Sequence, residues 1–373
     1  MDFTRNEEQQ AIAELAAKVL ADQVTPEGLR AMERELDGLG FDRSLWSTLA
    51  DAGLLGVPVP EEHGGLGLGL VELTLLLEEV GRNVAPVPVL ACLVYGALPV
   101  AHFGTDAQRA ALLPGVADGS LVLTGALVEA LGDPHRPTMS ARREGDGWVL
   151  DGEKTCVPAG LVADRVIVSA TTADGAVGLF LVDPSDATVG RERQDTMTWI
   201  PEAALTFAST PAEGLGTADA DGSAVRWLIE HVNVATSAVM VGVAEEALRL
   251  TAEYTKTREQ FDRPIATFQA VGQRAANAFI DTEAIRLTTI KAAWYLASGR
   301  PASKEVAVAK YFASDAGQRV VRAAQHLHGG IGVDRDYPLH RYYVWAKQLE
   351  LTLGSGSHHL RALGKLLADE PVA

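Results

Sequence analysis

Two segments in the last third of the sequence carry residues whose types could bind a ligand. Thr257–Phe261 contains Arg258, whose guanidinium can bind phosphate oxygens through two parallel hydrogen bonds and stays charged at any relevant pH. Gln325–Gly330 ends in two glycines, where a backbone without side chains lets a ligand approach closely. Both segments depend on the elements around them for their placement.

Other motifs that could indicate a cofactor or metal are weaker. Gly64–Gly69 has no strand before it and lacks the Gly-x-Gly-x-x-Gly spacing, so it is interpreted as a loop ahead of a helix that starts near Leu70. The sequence has no Walker-type loop and no His-Glu-x-x-His motif. His358 and His359 are adjacent, which places their rings on different sides of a helix. We therefore predict no metal site.

Composition limits the class of protein. A chain of 373 residues with 47% hydrophobic residues can fill two or three packed units. The net charge of -17 argues against a nucleic-acid partner or an anionic membrane surface. Cys92 and Cys156 cannot form a network of disulfides, and Met1–Arg5 does not resemble a signal peptide, so a cytoplasmic location is expected. The apolar run 85–103 contains three prolines and is interpreted as buried helix and turn.

The first part of the chain has helical periodicity. Thr4 and Glu7 have the spacing of a capping box, followed by apolar residues at helical intervals. Similar patterns predict helices over 44–55, 70–80 and 106–116. These patterns predict an N-terminal helical domain over residues 1–120.

Short β-type runs follow, and then helix again. Strands are predicted around Leu121–Thr124, Trp148–Leu150, Arg165–Val168 and Gly178–Val182, with a hairpin turn at Glu144–Gly147. The segment 209–223 is rich in small residues and is interpreted as a linker, and 224–257 as a long helix. The predicted fold class is therefore multi-domain α+β, with a middle β domain over 121–213 and a C-terminal helical bundle over 220–373.

Four segments together resemble the acyl-CoA dehydrogenase family. They are Val57–Gly67, Thr257–Phe261 with Phe268–Gln269, Gln325–Gly330, and Tyr337–Pro338 continuing to Ala346–Lys347. Each is weak alone, but the four occur in the family's order and separation, over nearly the whole chain. The resemblance implies FAD, an acyl-CoA substrate, and the introduction of a double bond between the α and β carbons of the thioester. It also implies the helical, β, helical domain order.

The resemblance assigns part of a flavin clamp to this chain. In similar enzymes the arginine at Arg258 reaches the pyrophosphate of a flavin held mainly by a neighbouring subunit. The remaining residues that the resemblance places in this cofactor-binding clamp are Phe261, Gln269, Gln325, Gly329 and Gly330.

The residue that would act as the catalytic base is missing. The family's reaction needs a carboxylate that removes the α proton in a dry pocket. At the two positions where relatives carry it, this chain has Leu353 and Val232, so we predict no catalytic base. Glu350 lies roughly 4.5 Å along the helix from Leu353, and Glu230 is rotated by about 200° from Val232. Both are interpreted as solvated helix carboxylates, with Glu350 the better substitute.

The strands that cradle the subunit's own flavin also differ from the family pattern. Val128-Glu129 stands where relatives have Thr-Glu, and Cys156-Val157-Pro158 stands where relatives have an aromatic residue, an aliphatic residue and a threonine. Proline offers neither a hydroxyl nor an N–H. Ser355 and Ser357 are partial substitutes at best. Cys156 itself is expected to be a small buried side chain.

The missing residues are those that a subunit uses on its own flavin and substrate, whereas the residues that it would lend to a neighbour's flavin remain. This asymmetry indicates a heteromer. The chain resembles the base-lacking subunit of actinobacterial acyl-CoA dehydrogenases of steroid side-chain breakdown, which pair it with a base-bearing homologous subunit in an α2β2 assembly. In this hypothesis the chain alone is inactive, and an electron-transfer flavoprotein accepts the electrons. Two alternatives are a self-sufficient homotetrameric flavoenzyme that uses Glu350, and a non-catalytic acyl-CoA-binding or structural paralogue.

Overall fold

The computed structural model describes residues 3–35 and 38–369 and has N-terminal helices, a central β-sheet and C-terminal helices. This architecture confirms the predicted α+β fold class. The described residues form two compact units. One is drawn from the ranges 1–26, 70–85 and 233–373, and the other from 27–69 and 86–232.

The N-terminal helices follow the predicted pattern except at their ends. The first four are α1 (Glu7–Gln23), α2 (Pro26–Arg34), α3 (Arg43–Asp51) and α4 (Leu70–Arg82). The predicted capping box is wrong by two residues, because Asn6 and Gln9 exchange the two capping hydrogen bonds. The helix predicted over 44–55 ends at Asp51, since Gly53 is left-handed and a 3₁₀ turn follows at Leu54–Gly56.

The apolar run 85–103 is helical and mostly buried, as expected. It forms a π-helix at Leu90–Ala97 that continues into α5 (Leu98–Phe103), and α6 (Asp106–Ala117) follows. The residues Gly64–Gly69 form a loop directly before α4, as interpreted from the sequence.

The β-sheet has seven strands. They are β1 (Leu123–Ala126), β2 (Ser140–Glu144), β3 (Gly147–Pro158), β4 (Arg165–Thr172), β5 (Val177–Val182), β6 (Val189–Gln194) and β7 (Glu202–Asp219). The strand order is β1-β4-β2-β3-β7-β5, and a further β4–β5 pairing closes five of the strands into a ring. Buried apolar side chains fill its centre, among them Leu150, Val168, Phe180, Leu205 and Phe207. The hairpin at Glu144–Gly147 is confirmed.

The linker predicted over 209–223 is wrong, because most of it belongs to β7. This strand pairs with β3, β5 and β6. Its glycine, alanine and threonine residues have the composition of a loop, but a strand between paired neighbours needs no bulky side chains to be held in place. Positive φ angles at Ser209 and Gly216 bend it without ending it.

Long helices form the C-terminal part. They are α7 (Ser223–Thr257), α8 (Gln269–Ala297), α9 (Ser303–His328), α10 (Leu339–Leu351) and α11 (Gly356–Asp369), with a short hairpin of β8 (Glu259–Gln260) and β9 (Arg263–Pro264) after α7. Helices α4 and α7 approach closely, because a Cβ on Gly242 would lie 1.8 Å from the carbonyl oxygen of Glu78. Helix α7 is long and apolar enough to span a membrane, but 89% of its most apolar window is buried inside the protein.

Candidate functional site

Arg258 lies directly after the last residue of α7 with its side chain exposed. Its backbone is fixed on both sides: its N–H donates to the carbonyl oxygen of Tyr254, and its own carbonyl accepts from Ile265 N–H, each at 2.8 Å. Within residues 3–35 and 38–369 its guanidinium makes no hydrogen bond or ion pair. The structure therefore holds the backbone of Arg258 in place and leaves its charge available to a ligand.

Phe261 forms the tip of the β8–β9 hairpin. Gln260 and Arg263 pair directly, so Phe261 and Asp262 are the two turn residues, with φ of 55° and 61°. Two-residue hairpin turns of this kind favour asparagine and glycine, and a phenylalanine at positive φ is strained. The side chain is 87% exposed. Gln269 begins α8 and is also exposed.

The other half of the predicted clamp lies at the end of α9. Gln325 is half-buried in its last turn, and Gly329 follows with φ 65° and ψ -138°. A Cβ on Gly329 or Gly330 would meet no atom within 4 Å, so this backbone borders open space. The stacked rings of Tyr254 and His328, with centroids 4.4 Å apart, join the ends of α7 and α9. The structure thus brings the Arg258 and the Gly329-Gly330 segments together.

The two expected base positions hold apolar side chains. Leu353 is 8% exposed and Val232 is 0% exposed. Leu353 is left-handed at φ 51°, and Gly354 follows at φ 108°. Neither side chain can accept a proton, and the absence of a catalytic base from this chain stays a prediction.

The polar side chains near Leu353 form hydrogen bonds within the chain, either with backbone carbonyls or with another side chain. The ammonium of Lys310 is fully buried and donates to the backbone carbonyls of Leu349 at 2.6 Å and Glu350 at 3.3 Å. The Glu350 carboxylate accepts from Lys347 Nζ at 2.5 Å. His359 Nε2 donates to the carbonyl of Leu353 at 3.2 Å.

Burial also sets the protonation of these groups. It lowers the pKa of Lys310 to about 7 against a weak opposing effect of Glu350. Burial and the neighbouring Lys310 lower the pKa of His359 to about 3. His359 is therefore neutral at pH 7 and offers no positive charge to an anion.

Glu129 and Lys154 form a buried pair in the β-sheet. Lys154 Nζ, which is fully buried, donates to the Glu129 carboxylate at 2.7 Å, and the N–H groups of Thr138 and Met139 donate to the same carboxylate. Burial opposes ionisation of Glu129, but these bonds lower its pKa to about 2. Burial lowers the pKa of Lys154 to about 8 despite the pairing. The two charged groups therefore form a structural ion pair within the β-sheet.

The interpretation of Cys156 as a buried side chain is wrong. A bulge between Lys154 and Val157 leaves Cys156 at φ 52° with its side chain exposed, while its N–H donates to Gln194 Oε1 at 2.8 Å. A bulge of this kind is not visible in the alternation of residue types along a strand.

The residues predicted to contact the chain's own flavin and those predicted to contact a neighbour's flavin fit FAD unequally. At Pro158 the strand has no N–H, and its carbonyl already accepts from the Thr124 hydroxyl at 2.5 Å. This strand end does not fit a flavin ring that needs a donor there. The exposed cation of Arg258 and the open backbone of Gly329-Gly330 do fit the phosphate and adenine half of the cofactor.

Sequence reasoning missed several residues that shape the site. Tyr254 precedes Arg258 by four residues, a spacing that places both on one side of α7 and was a usable signal. Lys310 is a single charge in an otherwise apolar helical stretch, which also marks it. Among the described residues, no group of three or more histidine, cysteine or carboxylate side chains could hold a metal ion.

Family models match both ends of the chain. The N-terminal domain of acyl-CoA dehydrogenase matches residues 6–120, and its C-terminal domain matches residues 222–367. Two acyl-CoA dehydrogenases of Mycobacterium tuberculosis (strain ATCC 25618 / H37Rv) are similar along their length. FadE27 is 38% identical, with all of both chains covered, and FadE28 is 36% identical, with 98% of both covered.

Solved structures give the same assignment. The chain is similar to a chain of a variant of the Tcur3481-Tcur3483 steroid ACAD, with 46% identity, a TM-score of 0.91, and 97% and 98% of the two chains covered. It is also similar to a chain of the ChsE4-ChsE5 complex from Mycobacterium tuberculosis, with 37% identity, a TM-score of 0.93, and both chains fully covered. The chain belongs to the acyl-CoA dehydrogenase family, whose cofactor is FAD.

Proposed function

We propose that this chain is the partner subunit of an α2β2 acyl-CoA dehydrogenase that acts on steroid side-chain CoA thioesters in the cytoplasm. A homologous subunit supplies the catalytic glutamate and most of the flavin site, and this chain completes that site. An electron-transfer flavoprotein accepts the electrons. The observation that carries the proposal is the contrast between the exposed guanidinium of Arg258 and the apolar side chains of Leu353 and Val232.

This chain's contribution to the reaction is to hold the cofactor. The chemistry that FAD would supply when bound is acceptance of the hydride from the β carbon of the substrate. Arg258 would bind the pyrophosphate, because its guanidinium is exposed and its backbone is fixed. Phe261, Gln269 and Gln325 would add contacts, and Gly329-Gly330 would leave room for the adenine half. The proton of the α carbon goes to the other subunit, since neither Leu353 nor Val232 can accept it.

The relatives support a heteromer and the substrate class. The similar ChsE4-ChsE5 structure is a complex, and the similar Tcur3481-Tcur3483 structure is a steroid ACAD. This chain also exposes Phe279, Ile280 and Leu287 on α8, each by more than half. Large apolar side chains on one helix are typical of a surface that another protein covers.

The geometry supports the alternatives less. A self-sufficient enzyme would need Glu350 as its base, but Lys347 and Lys310 occupy its carboxylate and its backbone carbonyl. A carboxylate paired with an ammonium is a weaker base than one in an apolar pocket. A purely structural paralogue would have no need for a strained, exposed phenylalanine beside an exposed arginine.

Replacement of Arg258 by alanine in the co-expressed complex tests the proposal. Two charge-assisted hydrogen bonds would be lost, so we expect FAD to bind about 100-fold more weakly. Arg300→Ala is the matched control, because Arg300 is an exposed arginine whose guanidinium lies 4.5 Å from the Trp294 ring. If Arg258→Ala retained FAD as well as Arg300→Ala does, the proposed contact in trans would be wrong.

A further inference from the structure

Three aromatic side chains near the ends of α7 and α9 contact one another, and we name Tyr254, His328 and Tyr337 the ring cluster. The rings of Tyr254 and His328 stack with an interplanar angle of 20° and centroids 4.4 Å apart. The Tyr337 ring lies 5.2 Å from His328 and 6.4 Å from Tyr254. The cluster therefore joins three parts of the chain: the end of α7, the end of α9 and the turn before α10.

Hydrogen bonds fix the histidine in one tautomer. Its Nδ1 lies 2.8 Å from the carbonyl of Ala324, so Nδ1 carries the proton and donates. Its Nε2 lies 3.0 Å from the Tyr337 hydroxyl and accepts from it. Burial lowers the pKa of His328 and raises the pKa of Tyr337, so both rings are neutral at pH 7. The charged groups near Tyr337 are Arg249 and Glu253.

Two rings of the cluster, Tyr254 and His328, are each connected to a clamp residue through the backbone. The carbonyl of Tyr254 accepts from Arg258 N–H, and Gly329 directly follows His328. A Cβ on Gly332 would lie 3.1 Å from the His328 Cβ and from the Gln325 carbonyl oxygen, so the glycine turn packs on the same histidine. The distance between the arginine and glycine halves of the clamp thus depends on how the rings pack.

We propose that the ring cluster is a positioning device for the partner's FAD. It touches no part of the cofactor itself. It holds Arg258 and Gly329-Gly330 at the separation that lets one FAD molecule meet both, so that the protein does not have to order the two helix ends when FAD binds. Tyr337 is its most specific member, because its hydroxyl fixes the orientation of the His328 ring. This inference rests on the proposed function.

Tyr337→Phe in the co-expressed complex tests the inference, with FAD itself as the probe. The variant keeps the ring and removes the hydrogen bond to His328, so we expect the dissociation constant of FAD to rise about tenfold. Tyr342→Phe is the matched control, because the Tyr342 hydroxyl likewise makes one hydrogen bond within the chain, donating to the Arg82 carbonyl at 2.9 Å. We expect both variants to assemble and to lose similar thermal stability, and only Tyr337→Phe to lose FAD affinity.

A double-mutant cycle with Arg258→Ala separates positioning from general loosening. If the hydroxyl acts through the clamp, Tyr337→Phe weakens FAD binding by less than about twofold once Arg258 is already alanine. Full additivity, or equal effects of Tyr337→Phe and Tyr342→Phe, would overturn the positioning role. If Arg258→Ala weakens FAD binding and Tyr337→Phe does not, the ring cluster fails and the proposed function stands. If Arg258→Ala has no effect, both fail.

Discussion

The clamp at the ends of α7 and α9 differs from the turn after α10 in how its polar groups are used. At the clamp, Arg258 is exposed and forms no ion pair within the described part of the chain, and Phe261 is held at positive φ with its ring exposed. At the turn, Leu353 is buried, and the polar side chains near it are hydrogen-bonded to backbone carbonyls or to one another.

The clamp has an exposed charge and a strained backbone, whereas the polar groups near Leu353 are already hydrogen-bonded within the chain. This contrast agrees with the proposal that the chain meets a ligand at the clamp. Backbone strain such as that at Phe261 costs stability, and it persists where surrounding structure and function maintain it. Satisfied polar groups around an apolar side chain resemble an ordinary core. This difference supports our proposal that the chain contributes the clamp to the flavin site and no base at Leu353.

Lys154→Met should give the largest effect and tests whether the cradle strands have become purely structural. Removing the buried ammonium leaves the Glu129 carboxylate unpaired, which costs roughly 3–5 kcal/mol in the free energy of unfolding. Urea denaturation of the isolated chain measures it. Lys365→Met, at an exposed lysine of α11, is the control and should stay within about 0.5 kcal/mol.

The double variant Glu129→Gln with Lys154→Met sharpens that result. It removes both charges, so we expect it to be more stable than Lys154→Met alone. If the single and double variants had equal free energies of unfolding, the unpaired Glu129 carboxylate would not be the cause of the instability of Lys154→Met.

Phe261→Ala should separate cofactor binding from stability at the clamp. Because Phe261 is 87% exposed and alanine would occupy the same positive-φ backbone, the free energy of unfolding should change by less than about 0.5 kcal/mol. The FAD dissociation constant of the complex should rise about tenfold, since stacking of an aromatic side chain on a base contributes roughly 1–3 kcal/mol. Isothermal titration of the apo complex with FAD measures this, and unchanged affinity would remove Phe261 from the clamp.

The pH dependence of stability tests the buried state of Lys310. Its pKa is lowered to about 7 in the folded protein from the ordinary value of 10.5, so the unfolded chain binds more protons between these values. The free energy of unfolding contributed by this group therefore rises as pH increases from about 7 to 10. Urea midpoints measured across this range should rise less in Lys310→Met than in the natural chain. Parallel curves would contradict the burial of the ammonium.

Glu350→Gln should have the smallest effect. The proposed complex takes its base from the other subunit and no step of its reaction uses Glu350, so its turnover number should change by less than about twofold. A loss of activity by several orders of magnitude would instead favour the self-sufficient enzyme. Steady-state kinetics of the co-expressed complex distinguish the two.

Local signals predicted much of the fold. Helical periodicity located α4, α6 and α7, and the Glu144–Gly147 turn located a hairpin. Strand β7 was missed because its small residues resemble a loop, and only its pairing with neighbouring strands makes it a strand.

The sequence predicted which residues belong to the candidate site, but it did not predict their environments. The motif placed Arg258 at a helix end, but its exposure depends on tertiary contacts that spacing does not encode. The bulge that exposes Cys156 and the hydrogen bonds of Lys310 are likewise set by distant backbone. Part of the ring cluster could have been predicted, because Tyr254 lies one helical turn before Arg258 in the sequence.

The flavin content of the chain, made alone and with its homologous partner, tests the central claim most directly. Absorbance at the flavin band, divided by the chain concentration, should be near zero for the isolated chain. The purified complex should contain fewer flavins than chains and should oxidise acyl-CoA. An isolated chain that carries one flavin per polypeptide and oxidises acyl-CoA without a partner would contradict the account.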